Sequence, residues 1–512
     1  MDFNKSQFCA LISVQFVRCA FMNLTIAVDP KSSKPLHRQV YGEIRHAILA
    51  GRLGPGQRLP STRLLAQTLG LSRSTVTQGY DDLISEGYLV TMKGSGTFVC
   101  QELPEELLSS RPSAKATVPS GASELPNPGL SRYGRSLATP LHFEQRNPAA
   151  QINFSQGHPD FSLAPYREWG RLLSRHCRSG NRKMLDYAVD PRGHPPLREA
   201  IAKYIGAARA VQCSPGQIVI VNGSQQSLDL VARLIIDQGD TVALENPGYP
   251  GSVYTFRSHG ASLIPIPVDE SGIAVGRLYD YSKTQIKAVH VTPSHQFPTG
   301  VVLSLPRRLE LLAWARQAGA LIVEDDYDSE YRYGGRPIPS LQGLGGDSVI
   351  YVGTFSKVMF PSLRVAYLVA PERLIKVISR AKWLADRQTS LVEQYALADF
   401  ISDGSLERHI RRMRTIYSSR RQTLVRELNA LLGDQVTVLG ENAGMQLMVR
   451  ISTGMPDDDF IARAAKRGVS LSAAGHCYLT KGPGAEFIMG FAGLGERTIR
   501  EGVRRLAQAL GS

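Results

Sequence analysis

Between Leu36 and Ile48 an apolar residue returns every fourth position (Leu36, Val40, Ile44, Ile48), which draws one stripe along a first helix. Gly51, Gly54-Pro55-Gly56 and Pro60 then punctuate the chain. Ser61 can cap a second helix, whose apolar side carries Leu64, Leu65 and Leu69. Gly70 makes the turn, Ser72 caps a third helix, and Val76, Tyr80 and Leu83 face inward from it. Gly87 stops that helix. Two extended runs follow, Tyr88 to Met92 and Thr97 to Val99, joined through Lys93-Gly94-Ser95-Gly96. Helix, helix, tight turn, helix and hairpin predict an α+β winged helix-turn-helix.

From Gln101 to about Ala150 the periodicity is lost. Pro104, Pro112, Pro119, Pro126, Pro128, Pro140 and Pro148 interrupt it amid Ser, Ala and Gly, the pattern of a stiffened tether rather than a domain. Beyond Ile152, apolar runs alternate with helical stretches. The runs at Ile218, Thr241, Ile286, Ala320 and Ser348 read as buried strands, so the pattern predicts an α/β body: a mostly parallel sheet covered by helices, with a smaller C-terminal lobe. Trp314 and Trp383 are assigned to its core. Four segments result: an N-terminal extension (1–32), the winged helix (33–101), a Pro-rich linker (102–150) and the body (151–512).

Composition narrows the classes. With 43% hydrophobic residues among 512, each domain can bury a core, which excludes wholesale disorder. Fifty-nine Lys+Arg against 45 Asp+Glu leave a net charge of +14, pointing to an anionic partner. The 6 cysteines lie far apart without CxxC spacing, which suits neither a metal site nor a disulfide framework and predicts a reducing cytoplasm. Phe8 to Phe21 is apolar but broken by Gln15 and Arg18, too short to span a bilayer and a poor signal peptide. Translation is expected to start at Met22, and no membrane partner is expected.

The third helix opens with Ser72-Arg73-Ser74-Thr75, a polar N-terminus fit for a major groove. Arg73 can bridge a guanine, Ser72 and Thr75 can bond phosphates, Arg63 can meet the backbone or a base, and Lys93 and Gly94 at the wing tip can enter the minor groove. Leu59-Pro-Ser-Thr-Arg63, Leu69-Gly-Leu-Ser-Arg-Ser-Thr-Val76 and Gly94-Ser-Gly-Thr-Phe-Val99 resemble the GntR family of bacterial regulators. The resemblance implies operator contacts by Arg63, Ser72, Arg73, Ser74, Thr75 and Gly94 on double-stranded DNA.

The body carries a second set of signals. Gly353-Thr-Phe-Ser356-Lys357 follows a buried run, with Arg364 seven residues on; a lysine there can form a Schiff base and the arginine can clamp a phosphate. Glu324-Asp325-Asp326-Tyr327 closes another run, where a carboxylate can hold a pyridine nitrogen protonated and a tyrosine can bond a ring oxygen. Asn222-Gly223-Ser224-Gln225 opens a helix and presents N–H groups to a phosphate, and Asn246-Pro-Gly-Tyr249 can project an aromatic ring. Alone, each is an ordinary loop.

In this order and spacing they resemble the aminotransferase fold, fold type I of the pyridoxal-phosphate proteins. By resemblance Lys357 binds pyridoxal 5'-phosphate, Asp325 pairs its nitrogen and Tyr327 its ring oxygen. Arg364, Ser224 and Gly223, with Gln225 beside them and Ser356 a weaker candidate, hold the phosphate, and Tyr249 stacks. Tyr187, in Tyr187-Ala-Val-Asp-Pro-Arg-Gly193, matches a tyrosine that reaches the neighbouring subunit's phosphate. Pro293-Ser-His-Gln-Phe-Pro-Thr-Gly300 departs from the family: Phe297 stands where an asparagine bonds the ring oxygen, leaving His295 or Gln296 as substitutes. Aminotransferases of amino acids also place a carboxylate-binding arginine near the last strand; Glu486 to Gly493 holds none, and Arg450, Arg463 and Arg467 are unranked candidates.

Head, Pro-rich linker and body together resemble the MocR (GabR-type) regulators. The resemblance implies a transcriptional regulator that senses an amino compound or pyridoxal phosphate, acting as a homodimer with each head over the partner's body. A working aminotransferase with an appended head, and a DNA-binding protein with an inert body, are the alternatives. The basic run Arg408-His-Ile-Arg411-Arg412-Met-Arg414 reads as a solvated helix face.

Overall fold

The computed structural model of the chain describes residues 15–18, 25–30, 32–103, 129–138, 150–154, 158–334 and 338–511. It divides into two compact units, Met1–Pro128 and Gly129–Ser512.

In the first unit the predicted elements form α1 (Leu36–Leu49), α2 (Thr62–Leu69) and α3 (Arg73–Ser85), then an antiparallel wing of β3 (Leu89–Met92) and β4 (Gly96–Val99). Both predicted caps are present: Ser61 Oγ accepts from Leu64 N at 3.2 Å and Ser72 Oγ from Thr75 N at 3.2 Å. Val40, Ile44, Ile48, Leu65, Leu69, Val76, Tyr80 and Leu83 make one core. Leu64 is not in it. It stands 45% exposed and Ala66 is buried in its stead, because adjacent helical residues point about 100° apart and Leu65 takes the inward direction. α1 and α3 approach closely at Gly79, where a Cβ would come within 3.1 Å of the His37 carbonyl.

The N-terminal extension is partly structural. β1 (Gln15–Arg18) pairs antiparallel with β2 (Thr25–Val28), and Ile26 and Val28 are buried in the core of the winged helix. The alternating Ile-Ala-Val of β2 puts two aliphatics on one face, which is what lets so short a strand dock. Met22 and most of the apolar run from Phe8 lie outside the described residues. So do 104–128 and 139–149 of the linker, but between them Arg132–Ser136 form a short helix, α4, capped by Ser131 on Gly134 N at 3.0 Å. The tether therefore holds one ordered turn, where the prolines pause.

The body is built on an eight-stranded sheet. Its strands are β5 (Ile218–Val221), β6 (Thr241–Asn246), β7 (Ser262–Asp269), β8 (Gly272–Ile273), β9 (Ile286–Val291), β10 (Leu321–Asp326), β11 (Val349–Thr354) and β12 (Ala366–Val369). Their order is β5-β12-β11-β10-β9-β6-β7-β8, parallel from β11 to β7, with β12 antiparallel to both neighbours and β8 antiparallel to β7. Four of the strands (β5, β6, β9 and β11) are almost wholly buried, as continuous aliphatic runs require when helices cover both faces. The helices that bear on the site are α5 (Ser224–Ile235), α6 (Pro250–Ser258), α7 (Leu305–Ala318), α8 (Glu372–Asp386) and α9 (Ser405–Leu432).

The C-terminal lobe is a four-stranded sheet of β13 (Val436–Leu439), β14 (Gln446–Ile451), β15 (Ser472–Ala473) and β16 (Glu486–Gly490), ordered β13-β14-β16-β15. Trp314 on α7 is buried, but Trp383 on α8 is 47% exposed under the Arg387 guanidinium, so its core assignment fails. A large aromatic in an apolar pattern does not separate core from interface. Among the described residues no helix is long and apolar enough to cross a membrane, Cys100, Cys177, Cys213 and Cys477 form no disulfide, and no cluster could hold a metal ion.

Candidate functional site

On the head, the Ser72 hydroxyl lies 2.9 Å from Ser74 Oγ and 2.7 Å from Thr75 Oγ1 as well as capping α3. The three hydroxyls lock the first turn, so Arg73 leaves it outward. Arg63, Arg73, Lys93 and Gly94 are exposed, and among the described residues none of the three cations makes an ion pair. Three unneutralised charges on one recognition helix, its preceding helix and the wing make an anion-seeking surface.

On the body, the predicted residues gather at one edge of the large sheet. Asn222 follows β5, Tyr249 follows β6, His295 and Phe297 follow β9, Tyr327 follows β10 and Lys357 follows β11. Arg364 precedes β12, whose reversed direction brings its start to the same edge. This is the edge where ligands of open α/β sheets bind.

Strand alternation sorts the acidic triplet of β10. Glu324 accepts from Leu341 N at 2.9 Å and Gln342 N at 3.0 Å, and Asp326 accepts from Arg209 Nε and the Tyr351 hydroxyl, each at 2.7 Å. Burial raises Asp326, but Arg209 and the hydroxyl outweigh it and hold the carboxyl below its ordinary value. Asp325 points to the other face. It is 5% exposed, its Oδ1 has no hydrogen-bond partner, and its Oδ2 lies 3.7 Å from an unpartnered His290 Nε2. A buried carboxylate oxygen left without a donor is costly unless something arrives to meet it.

The phosphate end is a cup. Gly223 (φ 89°) caps α5, and a Cβ there would lie 2.6–2.8 Å from the Arg364 guanidinium. Arg364 itself is held in the left-handed region (φ 51°), and its Nη2 donates to the Asn222 carbonyl at 2.5 Å. Asn222 Nδ2 in turn donates to Asp386 at 2.6 Å, and Asp386 is gripped by the fully buried Lys382 at 2.7 Å. Burial lowers the Lys382 ammonium, and Asp386 opposes that shift. Lys382 and Asp386 hold the turn from behind, and sequence reading missed them. Their i,i+4 spacing was visible, but not that Lys382 is buried and Asp386 bonds Asn222.

Around the ring position, Tyr249 meets Phe297 edge-on at 5.7 Å and Phe297 meets Tyr327 at 6.3 Å. Of the two suggested substitutes for the asparagine, Gln296 is engaged elsewhere, with Glu245 at 3.2 Å, Pro247 O at 2.8 Å and Thr299 at 2.6 Å. His295 is the one that touches Tyr327, at 2.9 Å. Gln225 is exposed and spends its amide on Thr255 and the Gly251 carbonyl, 3.5 Å from the Tyr249 hydroxyl. Lys357 and Ser356 are half-buried on the loop after β11, with the Tyr331 hydroxyl 3.4 Å from the Lys357 carbonyl. Tyr187 does not join the group within this chain: it is 69% exposed under Arg387. Arg450 is tied to Glu486 at 2.7 Å, and Arg463 and Arg467 are exposed on the C-terminal lobe.

Behind Asp326, burial and then that carboxylate push Glu330 up to about 7, while the Tyr204 hydroxyl donates to it at 2.9 Å. An ordinary glutamate titrates near 4.5, so the folded state holds this proton longer than the unfolded chain does. The associated stability is complete below that value and is lost as pH rises from there through about 7. Glu330→Gln is expected to raise the urea midpoint at pH 8 and change it little at pH 5. Equal shifts at both would contradict the assignment.

Comparisons with known proteins fit both halves. The family described as "Aminotransferase class I and II" matches residues 149–506, and "Bacterial regulatory proteins, gntR family" matches residues 36–99. The chain is 39% identical over 485 residues to a probable rhizopine catabolism regulatory protein, MocR, of Rhizobium meliloti, covering 94% of this chain and 95% of that one. It belongs to the MocR (GabR-type) group of gntR-family transcriptional regulators. A pyridoxine biosynthesis transcriptional regulator of Corynebacterium glutamicum, PdxR, is 30% identical over 95% of this chain and 99% of its own. Among solved structures, the α-aminoadipate aminotransferase LysN of Thermus thermophilus superposes with a TM-score of 0.66 at 31% identity, covering 70% of this chain and 92% of that one.

A MocR-type chain is a DNA-binding regulator whose body is a pyridoxal-phosphate domain of the aminotransferase fold. The residues present fit that cofactor. Asp325 offers an orphaned buried oxygen suited to a cationic ring nitrogen, and the Gly223–Arg364 cup, which a single methyl would fill, suits a phosphate.

Proposed function

We propose that this regulator reads its operator through Arg73 on α3 and senses an amino compound, or the cofactor itself, at Lys357. Residues 33–101 are the reading unit, 102–150 the tether and 151–512 the sensor. The observation that carries this reading is Asp325 Oδ1, a buried carboxylate oxygen without a donor at the sheet edge that also bears Lys357 and Arg364. When bound, pyridoxal phosphate supplies an aldehyde that condenses reversibly with amines. The chain's own groups then have separate tasks. Asp325 keeps a proton on the ring nitrogen, Tyr327 meets the ring oxygen, Tyr249 covers the ring, and Arg364, Ser224 and the amides of α5 neutralise the phosphate. Ser356 is the adjoining hydroxyl, and Gln225 braces Tyr249.

Borohydride reduction of the cofactor-loaded protein, followed by peptide mass analysis, tests the attachment. The phosphopyridoxyl mass is expected on the peptide containing Lys357, and its appearance on another lysine would refute the site. Gly223→Ala, which puts a methyl against the Arg364 guanidinium in a backbone conformation that disfavours side chains, is expected to weaken cofactor binding about tenfold or more by equilibrium titration.

The assembly is proposed as a homodimer. Arg387 lies over both the Tyr187 and Trp383 rings, and Leu185, Val189 and Leu384 on the same two segments are also exposed, an apolar surface suited to a second copy of the chain. The family resemblance assigns Tyr187 on that surface to the partner's phosphate cup, and its exposure within this chain supports that role. Sedimentation equilibrium is expected to give twice the chain mass, and Trp383→Glu with Leu384→Glu to give the monomer.

A further inference from the structure

The ring-oxygen side of the site contains a buried acid–imidazole–phenol arrangement, whose acid and imidazole the cofactor reading does not use. Asp328 directs both carboxylate oxygens at His295 Nδ1, each 3.1 Å away, and the Tyr327 hydroxyl lies 2.9 Å from the same nitrogen. His295 and Asp328 are both about 2% exposed, and His295 Nε2 has no partner. Backbone closes on the imidazole from two sides: a Cβ at Gly444 of the C-terminal lobe would collide with the ring, and one at Gly300, on the loop after β9, would come within 3.1 Å of Nε2.

We propose that His295 and Asp328 act as positioning residues that fix the Tyr327 phenol with its proton turned toward the ring oxygen of pyridoxal phosphate. A bare Nδ1 lone pair facing two carboxylate oxygens would be repelled, so Nδ1 carries the proton. A protonated Nδ1 cannot accept from the phenol. The phenolic oxygen can only receive a hydrogen bond there, and its own O–H must point elsewhere, into the cleft. Without the pair, the tyrosine proton would be free to rotate onto any neighbouring acceptor. The inference rests on the cofactor reading above and adds the reason why this chain dispenses with the asparagine: Phe297 fills the place with an apolar ring, and orientation is imposed on the tyrosine from behind.

The charges around the phenol keep its proton in place. Burial, then Asp328, Asp325, Glu245 and Asp326, raise Tyr327 well above the ordinary tyrosine value. From β6 comes Glu245, from β10 come Asp325 and Asp326, from the turn beyond comes Asp328, and His290 lies 3.7 Å from Asp325. The loop after β9 contributes Gln296, which is neutral and bonded elsewhere, and the lobe presents glycine backbone. Among the described residues no lysine or arginine hydrogen-bonds to Tyr327, His295 or Asp328.

The test is a double-mutant cycle on the full-length protein loaded with pyridoxal phosphate, read as the pH midpoint of its visible absorption band. A donor to the ring oxygen favours that oxygen's ionised form, so losing the donor raises the midpoint. Tyr327→Phe and His295→Leu are each expected to raise it by about one pH unit, the size of one hydrogen bond to a charged group. His295→Leu in the Tyr327→Phe background is expected to add almost nothing, because its effect passes through the phenol. Asp328→Asn, which still accepts from Nδ1–H, is expected to keep the midpoint within a few tenths. Gly444→Ala, which displaces the imidazole without removing it, should reproduce the His295→Leu shift and stands in if that variant does not fold. Additive shifts, or an unmoved midpoint in both His295→Leu and Gly444→Ala, would overturn the positioning role while leaving Lys357 attachment intact. A wild-type protein without any visible band would overturn the cofactor reading and this inference with it.

Discussion

Lys357→Ala is expected to abolish the visible absorption of the cofactor-loaded protein completely, leaving only the spectrum of free pyridoxal phosphate. The cup of Gly223, Ser224 and Arg364 still binds the phosphate, so the variant should retain noncovalent cofactor at reduced affinity. Lys357→Arg keeps the charge but is not expected to condense with the aldehyde near neutral pH, where its guanidinium stays protonated, and it should behave like alanine in the spectrum while differing from it in phosphate affinity. A visible band in either variant contradicts the assignment. Because the mutation leaves the buried strands untouched, its thermal unfolding without cofactor should match the wild type.

Arg73→Ala carries the second large effect. The side chain leaves a turn locked by three hydroxyls, and among the described residues it makes no ion pair, so its removal should leave the head folded. Operator affinity is expected to fall by about 1–3 kcal/mol, roughly five- to 150-fold, with discrimination relaxed at one base position per half-site. Lys93→Ala at the wing should instead weaken binding evenly across sequences and reduce the salt slope by about 1. If Arg73→Ala lost affinity uniformly while Lys93→Ala lost selectivity, the roles of α3 and the wing would be exchanged.

Much of this architecture is visible in local pattern. Ser61 and Ser72 announce their helices because a capping hydroxyl, a following turn and an apolar stripe are all short-range features. The strands of the large sheet are legible because parallel strands covered on both faces must be apolar throughout. Alternation then singles out Asp325 from its two acidic neighbours, once the strand is known to end there.

What stayed hidden depends on distant partners. Leu64 and Leu65 look equivalent until the helix chooses a face. Trp383 matches the core pattern, yet lies on the surface under Arg387. The turn at Arg132–Ser136 is masked by the prolines around it, and β2 by its brevity. The Asp328–His295 contact joins positions 33 residues apart, and the Lys382–Asp386 support reaches Asn222 across more than 160. Both support the site from behind, and no motif records them. In each case the residue type was visible in the sequence but its partner was not.

Under the proposed function, occupancy of the body changes what the head does. A ligand can shift that balance only by its differential affinity for the two arrangements, and reciprocity requires operator DNA to alter cofactor or amine affinity by the same factor. Fluorescence anisotropy of labelled operator, titrated with full-length protein at fixed salt in the presence and absence of pyridoxal phosphate and a panel of amines, measures this directly. The account predicts a change in Kd of about five- to 150-fold for the cofactor or one of the amines, lost in Lys357→Ala. Identical operator affinities under every condition, in a protein whose Lys357 is shown to be loaded, would contradict it.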